Sequence, residues 1–349
     1  MTDNERLILR ELASAPPLSK RDITKRCGIG WATSVKLITR LEEQGYVVSS
    51  GNARQNRAGK SATVYTLSAS KPAAVGIDVE YGRTRVAIKN LLRQRLFESE
   101  LATPAIDGPR SLENFLGRQL LHARRKADEL GISLDGGGIG VPNHLFGQEG
   151  VPYSTMAGSL TRKLGFPVIV DNNVRCFSLA IAGPRAVHDS MLVVTVRSGI
   201  GVGIVMNRRI YKGERGCPGE IGHFSVEANG APCRCGKRGC LETVVNRDAL
   251  ASSLEGLRHG DHAARKSLAH AAELLGQAIG NLMLVVDIRH VTIYAELCDL
   301  GPALLPPVRA AILRTVTPGF DCDVAYETLD AEAYVAGAAR LVLDEFVRT

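Results

Sequence analysis

The sequence predicts an α/β protein in two parts: a winged helix-turn-helix over residues 1–70, and a larger α/β body of two lobes over 71–349. Three observations predict it. Two short helical patterns are split by a glycine turn at Gly28 and Gly30 and followed by two β-branched runs. The composition changes across 68–72, where Lys71-Pro72 follows the second run. Beyond that point strand-like apolar runs alternate with amphipathic helical stretches, the pattern of layered α/β architecture.

Taken in order, residues 4–14 place Ile8, Leu9 and Leu12 on one side of a helix. After Pro16-Pro17, the S-x-x-D of Ser19-Lys20-Arg21-Asp22 is a capping box that opens a short helix through Arg26. A third helix runs from Trp31 to Gln44, with Val35, Ile38 and Leu41 facing the core and Gly45 as its stop. Tyr46-Val47-Val48 and Thr63-Val64-Tyr65 are the strands of a wing whose loop holds Arg54, Arg57 and Lys60. In such a module the third helix enters the major groove, so Trp31, Ala32, Thr33, Lys36 and Arg40 are the candidates to reach base edges. The three wing cations would contact phosphates or the minor groove.

Charge supports that reading. Residues 1–70 hold eleven Lys/Arg against six Asp/Glu, whereas the rest of the chain carries thirty-two against thirty. A basic end on a nearly neutral body suits a polyanionic partner such as operator DNA. The alternative, a helical protein-interaction domain, is disfavoured because every charge in the wing loop is basic.

In the body, residues 74–88 read as two strands around a turn at Tyr81-Gly82-Arg83. Further strands are expected at 136–141, 167–171, 191–196 and 201–206. Helices are expected at 111–130, 174–187, 246–258, 262–286, 303–315 and 331–347. This divides into lobe one, about 72–187 plus 331–349, and lobe two, about 188–330; no tandem repeat is evident. A 45% hydrophobic and 23% charged composition excludes wholesale disorder. The first residues mix charges with leucines, unlike a secretory signal, and the apolar run 282–298 is cut by Asp287, Arg289 and His290. A cytoplasmic protein with no membrane partner is expected.

The strongest chemical signal lies in residues 219–242. Cys233, Cys235 and Cys240 fall within eight residues, with Gly236 and Gly239 to let the chain fold back, and His223 stands ten residues upstream. Three thiolates and an imidazole make a closed tetrahedral set for Zn2+, with no position left for a reactive water, so the zinc is structural. The alternative is three unconnected thiols. Cysteines 27, 176, 217, 298 and 322 are scattered and expected to pack as apolar side chains.

Gly219-Glu220-Ile221-Gly222-His223 followed by CRCGKRGCLE at 233–242 resembles the signature of the ROK family (repressor, open reading frame, kinase). The likeness extends to the Gly140-Val141-Pro142 turn, VIVDNNV at 168–174 and SGIGVGIVMNRRIYKGERG at 198–216. The segment 18–48 resembles the winged helix of the repressor branch. The resemblance implies a two-lobed actin/hexokinase-like (ribonuclease-H-like) body with a zinc loop, a sugar in the cleft, and a homodimer or homotetramer. Carried over by position, the effector contacts are Asn172, Asn173, Glu220, His223 and Glu242, with Gly140 close by. The imidazole would ligate zinc through one nitrogen and face the sugar with the other. A purely structural role for Glu220 and Glu242, orienting the zinc loop, is compatible with this.

The same resemblance distinguishes regulator from kinase. Kinases of the family carry Asp-x-Gly-Gly-Thr-Lys as the first phosphate loop; here the segment is Asp78-Val79-Glu80-Tyr81-Gly82-Arg83-Thr84, with a carboxylate that would repel phosphate. Their Gly-Thr-Gly is Arg197-Ser198-Gly199, and the late Gly-Gly is Ala295-Glu296. Their catalytic Asp is replaced by Asn173, an amide that holds a hydroxyl but cannot take its proton, and a family Asn is replaced by Arg175. The expectation is a repressor of carbohydrate metabolism that senses a sugar and has no catalytic residues. A sugar kinase with an added DNA-binding arm, and an effector-free zinc-loop interaction protein, are the alternatives.

Overall fold

A computed structural model of the chain describes residues 1–14, 17–53, 62–146, 152–182, 187–214 and 216–347. Arg54, Arg57 and Lys60 of the expected wing loop lie outside the described residues. The chain divides into two compact units. The first comprises Met1–Val141, Gly150–Asp171 and Val335–Thr349, and the second Pro142–Glu149 and Asn172–Tyr334.

The first unit opens with α1 (Asp3–Ser14), β1 (Leu18–Ser19), α2 (Lys20–Cys27), α3 (Trp31–Glu43), β2 (Val47–Ala53) and β3 (Ala62–Leu67). The capping box forms as expected: Asp22 N donates to Ser19 Oγ at 3.2 Å, and Ser19 N donates to Asp22 Oδ2 at 3.1 Å. Gly28 ends α2 in the left-handed region at φ 64°, which turns the chain into α3. The strands pair in the order β1-β3-β2, so the wing hairpin gains a third strand from the residues ahead of α2. Ile8, Leu9, Leu12, Ile23, Ile38 and Leu41 form the core of this module with Val47, Tyr65 and Leu67. Val35 is only half-buried; the inward stripe of α3 is Ser34, Ile38 and Leu41, one helical step round from the expected one.

The same unit contains β4 (Ala73–Glu80), β5 (Arg83–Asn90), β6 (Arg95–Leu101), α4 (Pro109–Glu129), β7 (Leu134–Val141), α5 (Tyr153–Leu164) and β8 (Val168–Asn172). Its sheet has the order β6-β5-β4-β7-β8, antiparallel through β6-β5-β4 and parallel between β4 and β7. The second unit contains α6 (Asn173–Ile181), β9 (Met191–Val196), β10 (Ile200–Met206), β11 (Arg209–Ile210), α7 (Arg247–Arg258), α8 (His262–Val286), β12 (His290–Ala295), α9 (Gly301–Thr315) and β13 (Asp323–Thr328). Its sheet, β11-β10-β9-β12-β13, repeats the same order position for position. A topological duplication is therefore present where the sequence shows no repeat. α8 is long and apolar enough to cross a membrane, but 56% of its apolar window is buried, and Leu268, Leu275, Ile279 and Met283 belong to the second unit's core. Among the other cysteines, Cys176 is buried and Cys27 and Cys322 are half-buried, but Cys217 is exposed, against expectation.

The last helix, α10 (Glu332–Leu343), begins in the second unit and continues into the first. In the first unit it lies directly on sheet backbone. A Cβ on Gly76 would come within 2.0 Å of Val335 O, and one on Gly138 within 1.7 Å of Ala338 O. Glycine is required at both positions by close approach rather than by its dihedral freedom. Gly138→Ala should therefore cost about 3 kcal/mol or more and lower the urea midpoint sharply. Gly117→Ala, in α4 with only ordinary contact to Leu160, should raise stability by up to about 1 kcal/mol.

Candidate functional site

The expected DNA-reading side chains lie on the open face of α3. Trp31 is 57% exposed, and Ala32, Thr33 and Lys36 are exposed beside it. Arg40 is exposed as well, but its Nη1 lies 3.5 Å from Oε1 of the buried Glu5, which draws it toward α1. That pairing joins residues thirty-five apart in the chain and had no local signal.

In the second unit, residues 219–242 fold back as their glycines require. Val226 N donates to Gly239 O at 2.8 Å, and Gly239 N donates to Ala231 O at 2.9 Å. Cys233 N donates to Lys237 O at 2.8 Å. Gly239 sits at φ 66° and has no room for a Cβ, which would approach Glu227 O to 1.6 Å. The fold-back brings His223, Cys233, Cys235 and Cys240 together, with their ligand atoms all within 4.8 Å of one another. Cys235 Sγ lies 3.6 Å from Cys240 Sγ, and Cys233 Sγ lies 3.7 Å from His223 Nδ1. These four side chains are placed to hold a metal ion. Burial pushes the Cys233 and Cys240 thiols up, while the backbone amide of Lys237 helps bring the Cys235 thiol down against its own burial. Burial also lowers His223, favouring the neutral imidazole that a metal needs.

Two of the polar residues expected to meet an effector, Glu220 and Glu242, lie beside this cluster. His223 presents Nδ1 to the thiols, while its Nε2 lies 3.9 Å from Glu220 Oε2. Glu220 accepts a hydrogen bond from Asn143 Nδ2, a partner that sequence reasoning missed. Burial pushes the Glu220 carboxyl up, opposed by the positive charge of Arg175 and the Asn143 bond. Arg175 is itself buried, and its guanidinium donates to Gly216 O. Asn173 stands buried in the first turn of α6. Asn172 precedes it as the N-cap, and its side-chain oxygen accepts from Val174 N at 2.9 Å and Arg175 N at 3.3 Å. That oxygen is engaged by the helix itself.

Glu242 is held from several sides. Arg234 donates to it through Nε at 3.1 Å and Nη2 at 3.2 Å, and the Cys233 thiol donates at 3.1 Å. Burial works to raise its carboxyl, but the hydrogen bonds from Arg234 and Cys233 together with the nearby positive charge leave it lowered. Arg234 Nη2 also donates to Ser198 O at 2.9 Å, tying the loop to the turn at 197–199. Sequence reasoning missed Arg234, although its place between two of the cysteines marked it as a loop residue.

The segments that the sequence resemblance aligned with kinase nucleotide elements hold charge pairs. In the first unit, Glu80 is buried and accepts from Arg83 Nη2 at 3.2 Å. In the second, Glu296 Oε2 accepts from Arg247 Nη1 at 3.3 Å, and its Oε1 lies 3.9 Å from Arg197 Nε. Gly140 lies in the first unit, at the end of β7.

The ROK family model matches residues 74–345, and the MarR family model matches residues 1–58. The xylose repressor of Bacillus subtilis (strain 168) is 22% identical, over 99% of this chain and 96% of its own. A glucokinase of Halalkalibacterium halodurans is 30% identical over 77% of this chain and 94% of its own. The crystal structure of a ROK family transcriptional regulator, a homologue of the E. coli MLC protein, superposes with a TM-score of 0.77 at 18% identity, covering 99% of this chain and 96% of that one. The expected winged helix and actin/hexokinase-like body are borne out.

The buried charges at Glu220 generate a direct test. Arg175→Met removes the cation that offsets a half-buried carboxylate and should cost about 3 kcal/mol, read as a fall in the urea midpoint. Glu220→Gln in the same background should restore part of that loss, because the uncompensated charge is gone.

Proposed function

The chain belongs to the ROK family, and from that membership we propose that it is a DNA-binding repressor of carbohydrate metabolism whose kinase-like body senses a sugar or sugar derivative. The observation that carries this reading is Asn173. It is buried, and the resemblance of VIVDNNV to the family motif aligns it with the aspartate that accepts the proton of the attacking hydroxyl in the kinases. An amide can donate and accept hydrogen bonds to a sugar, but it cannot act as the base of phosphoryl transfer. Buried Glu80 paired with Arg83 adds to it, since a carboxylate in a phosphate loop repels the nucleotide. The likeness to the xylose repressor over nearly the full chain supports the regulator reading. The 30% identity to a glucokinase supports the alternative, a sugar kinase with a DNA-binding arm.

The effector would be met by Asn173, Glu220, His223 Nε2 and Glu242, with Asn143 holding Glu220 in place and Asn172 fixing the start of α6. Carboxylates that accept from vicinal hydroxyls are the usual means of pairing a buried polyol, and each hydroxyl left unpaired costs about 1–3 kcal/mol. His223, Cys233, Cys235 and Cys240 would hold Zn2+. Zinc with Zn–S of about 2.3 Å and Zn–N of about 2.0–2.1 Å requires tetrahedral edges of roughly 3.6–3.8 Å, against the 3.6 and 3.7 Å found. When bound, the ion would supply structure rather than chemistry, because four protein ligands close its shell.

Operator contacts would come from Trp31, Ala32, Thr33, Lys36 and Arg40 in the major groove, and from the wing cations Arg54, Arg57 and Lys60 on phosphates. A homodimer or homotetramer would present two such heads to paired half-sites. The reading is tested by thermal shift of the zinc-replete protein against sugars, sugar phosphates and ATP. A sugar at 100 times its dissociation constant should stabilise the fold by about 2.7 kcal/mol, and Glu220→Gln should abolish that shift. A shift with ATP would support the kinase, and silence across the panel would support an effector-free interaction protein.

A further inference from the structure

We infer that His188, His290 and Asp323 form a second cation site, for a borderline transition ion such as Zn2+ or Ni2+, separate from the thiolate loop. The site follows from strand register. β9, β12 and β13 run parallel in the second unit, with Val291 opposite Leu192 and His290 opposite Asp323. Residues that enter these strands therefore gather at one end of the sheet. His290 and Asp323 are the first residues of β12 and β13, and His188 precedes β9.

The three ligand atoms lie within 4.8 Å of one another. His290 Nδ1 is 3.5 Å and His188 Nε2 is 3.8 Å from the same carboxylate oxygen, Asp323 Oδ2. Those separations are near the edge of roughly 3.4 Å that a tetrahedral ion with bonds of about 2.1 Å imposes on its ligands. They are too long for hydrogen bonds. His290 Nδ1 is buried and has no hydrogen-bond partner among the described residues, a state that an ion would relieve.

The approach of an ion needs two adjustments, at the partly exposed His188 and the exposed Arg289. The two imidazoles stack at 3.6 Å with planes 12° apart, so their in-plane lone pairs run parallel. His188, 30% exposed in the segment before β9, is the ligand that turns to aim at the ion. Coordination through His290 Nδ1 moves its proton to Nε2, which now accepts from Arg289 Nε at 3.2 Å. Arg289 is exposed and already pairs with Asp321 at 2.7 Å, so it has a partner on release. Two imidazoles and one carboxylate favour Zn2+, Ni2+ or Cu2+ over Mg2+ or Ca2+, and leave positions for water. A bound ion would tie the segment before β9 to the starts of β12 and β13.

The test is the zinc content of the full-length protein, measured by mass spectrometry after equilibration with a buffered series of free Zn2+. Wild type should bind one equivalent more than His188→Ala and His290→Ala, or bind it at least about tenfold more tightly. The ion of the thiolate loop should remain in all three. Equal zinc content and affinity in wild type and both variants would overturn the proposal. If His290→Ala fails to fold, His188→Ala decides alone, because its side chain is partly exposed and outside any strand.

Discussion

The convergence of His223 with Cys233, Cys235 and Cys240 is the constraint on which the candidate site depends. Glu220 is one helical turn before the histidine, and Glu242 is two residues after the last cysteine. Folding the loop back therefore sets both carboxylates at once. Side-chain bonds finish the arrangement: within the loop Arg234 takes Glu242 and His223 keeps Nε2 toward Glu220 while Nδ1 faces the thiols, and from outside the loop Asn143 takes Glu220. Sulfur ligands at this spacing thus organise the oxygen groups that would read a polyol. Glu242 is engaged by the loop through both oxygens, from Arg234 and Cys233, and Glu220 Oε2 lies 3.9 Å from His223 Nε2.

α10 gives the two units a shared element. In the second unit its Tyr334 packs on Phe177 of α6 at 4.6 Å between ring centroids, and the Arg197 guanidinium lies 3.9 Å over the same ring. α6 is the helix that carries Asn173 and Arg175. In the first unit α10 rests on Gly76 and Gly138, and Phe346 just beyond it lies 5.8 Å from Tyr46 of the winged helix. Tyr46 in turn donates to Asp135 at 3.3 Å and carries Lys71 Nζ 4.5 Å over its ring. Both sets of contacts lie on one continuous stretch of chain. On the proposed reading, an effector would shift operator affinity only as far as it binds two conformations of the protein unequally.

What was legible in the sequence was what local chemistry decides. Ser19 and Asp22 announce a cap because their partners are three residues away, and the three cysteines announce a metal loop because the glycines between them permit only a tight return. β6, α5, β12 and β13 were not legible. β6 is an edge strand with only half-buried apolar residues, and α5 dilutes its Met156, Leu160, Leu164 stripe with Gly158 and several hydroxyls. β12 follows α8 so closely that the apolar run hides the boundary; Asp287, in the left-handed region at φ 54°, ends the helix. The repeated sheet order was invisible because it is conserved in hydrogen-bond pattern, not in side chains. Arg40 with Glu5, Arg234 with Ser198 and Asn143 with Glu220 join residues far apart in the chain, which periodicity cannot reveal.

The central claim is that a sugar bound in the body changes the grip of the winged helix on DNA. The most direct measurement is the affinity of the zinc-replete protein for an operator duplex selected from random DNA, with and without saturating sugar, across a salt series. The account predicts a shift of at least about fivefold in operator affinity that Glu220→Gln removes and ATP does not reproduce. It also predicts a steep salt dependence from the basic reading head. Operator affinity that is identical with and without a demonstrably bound sugar would contradict it.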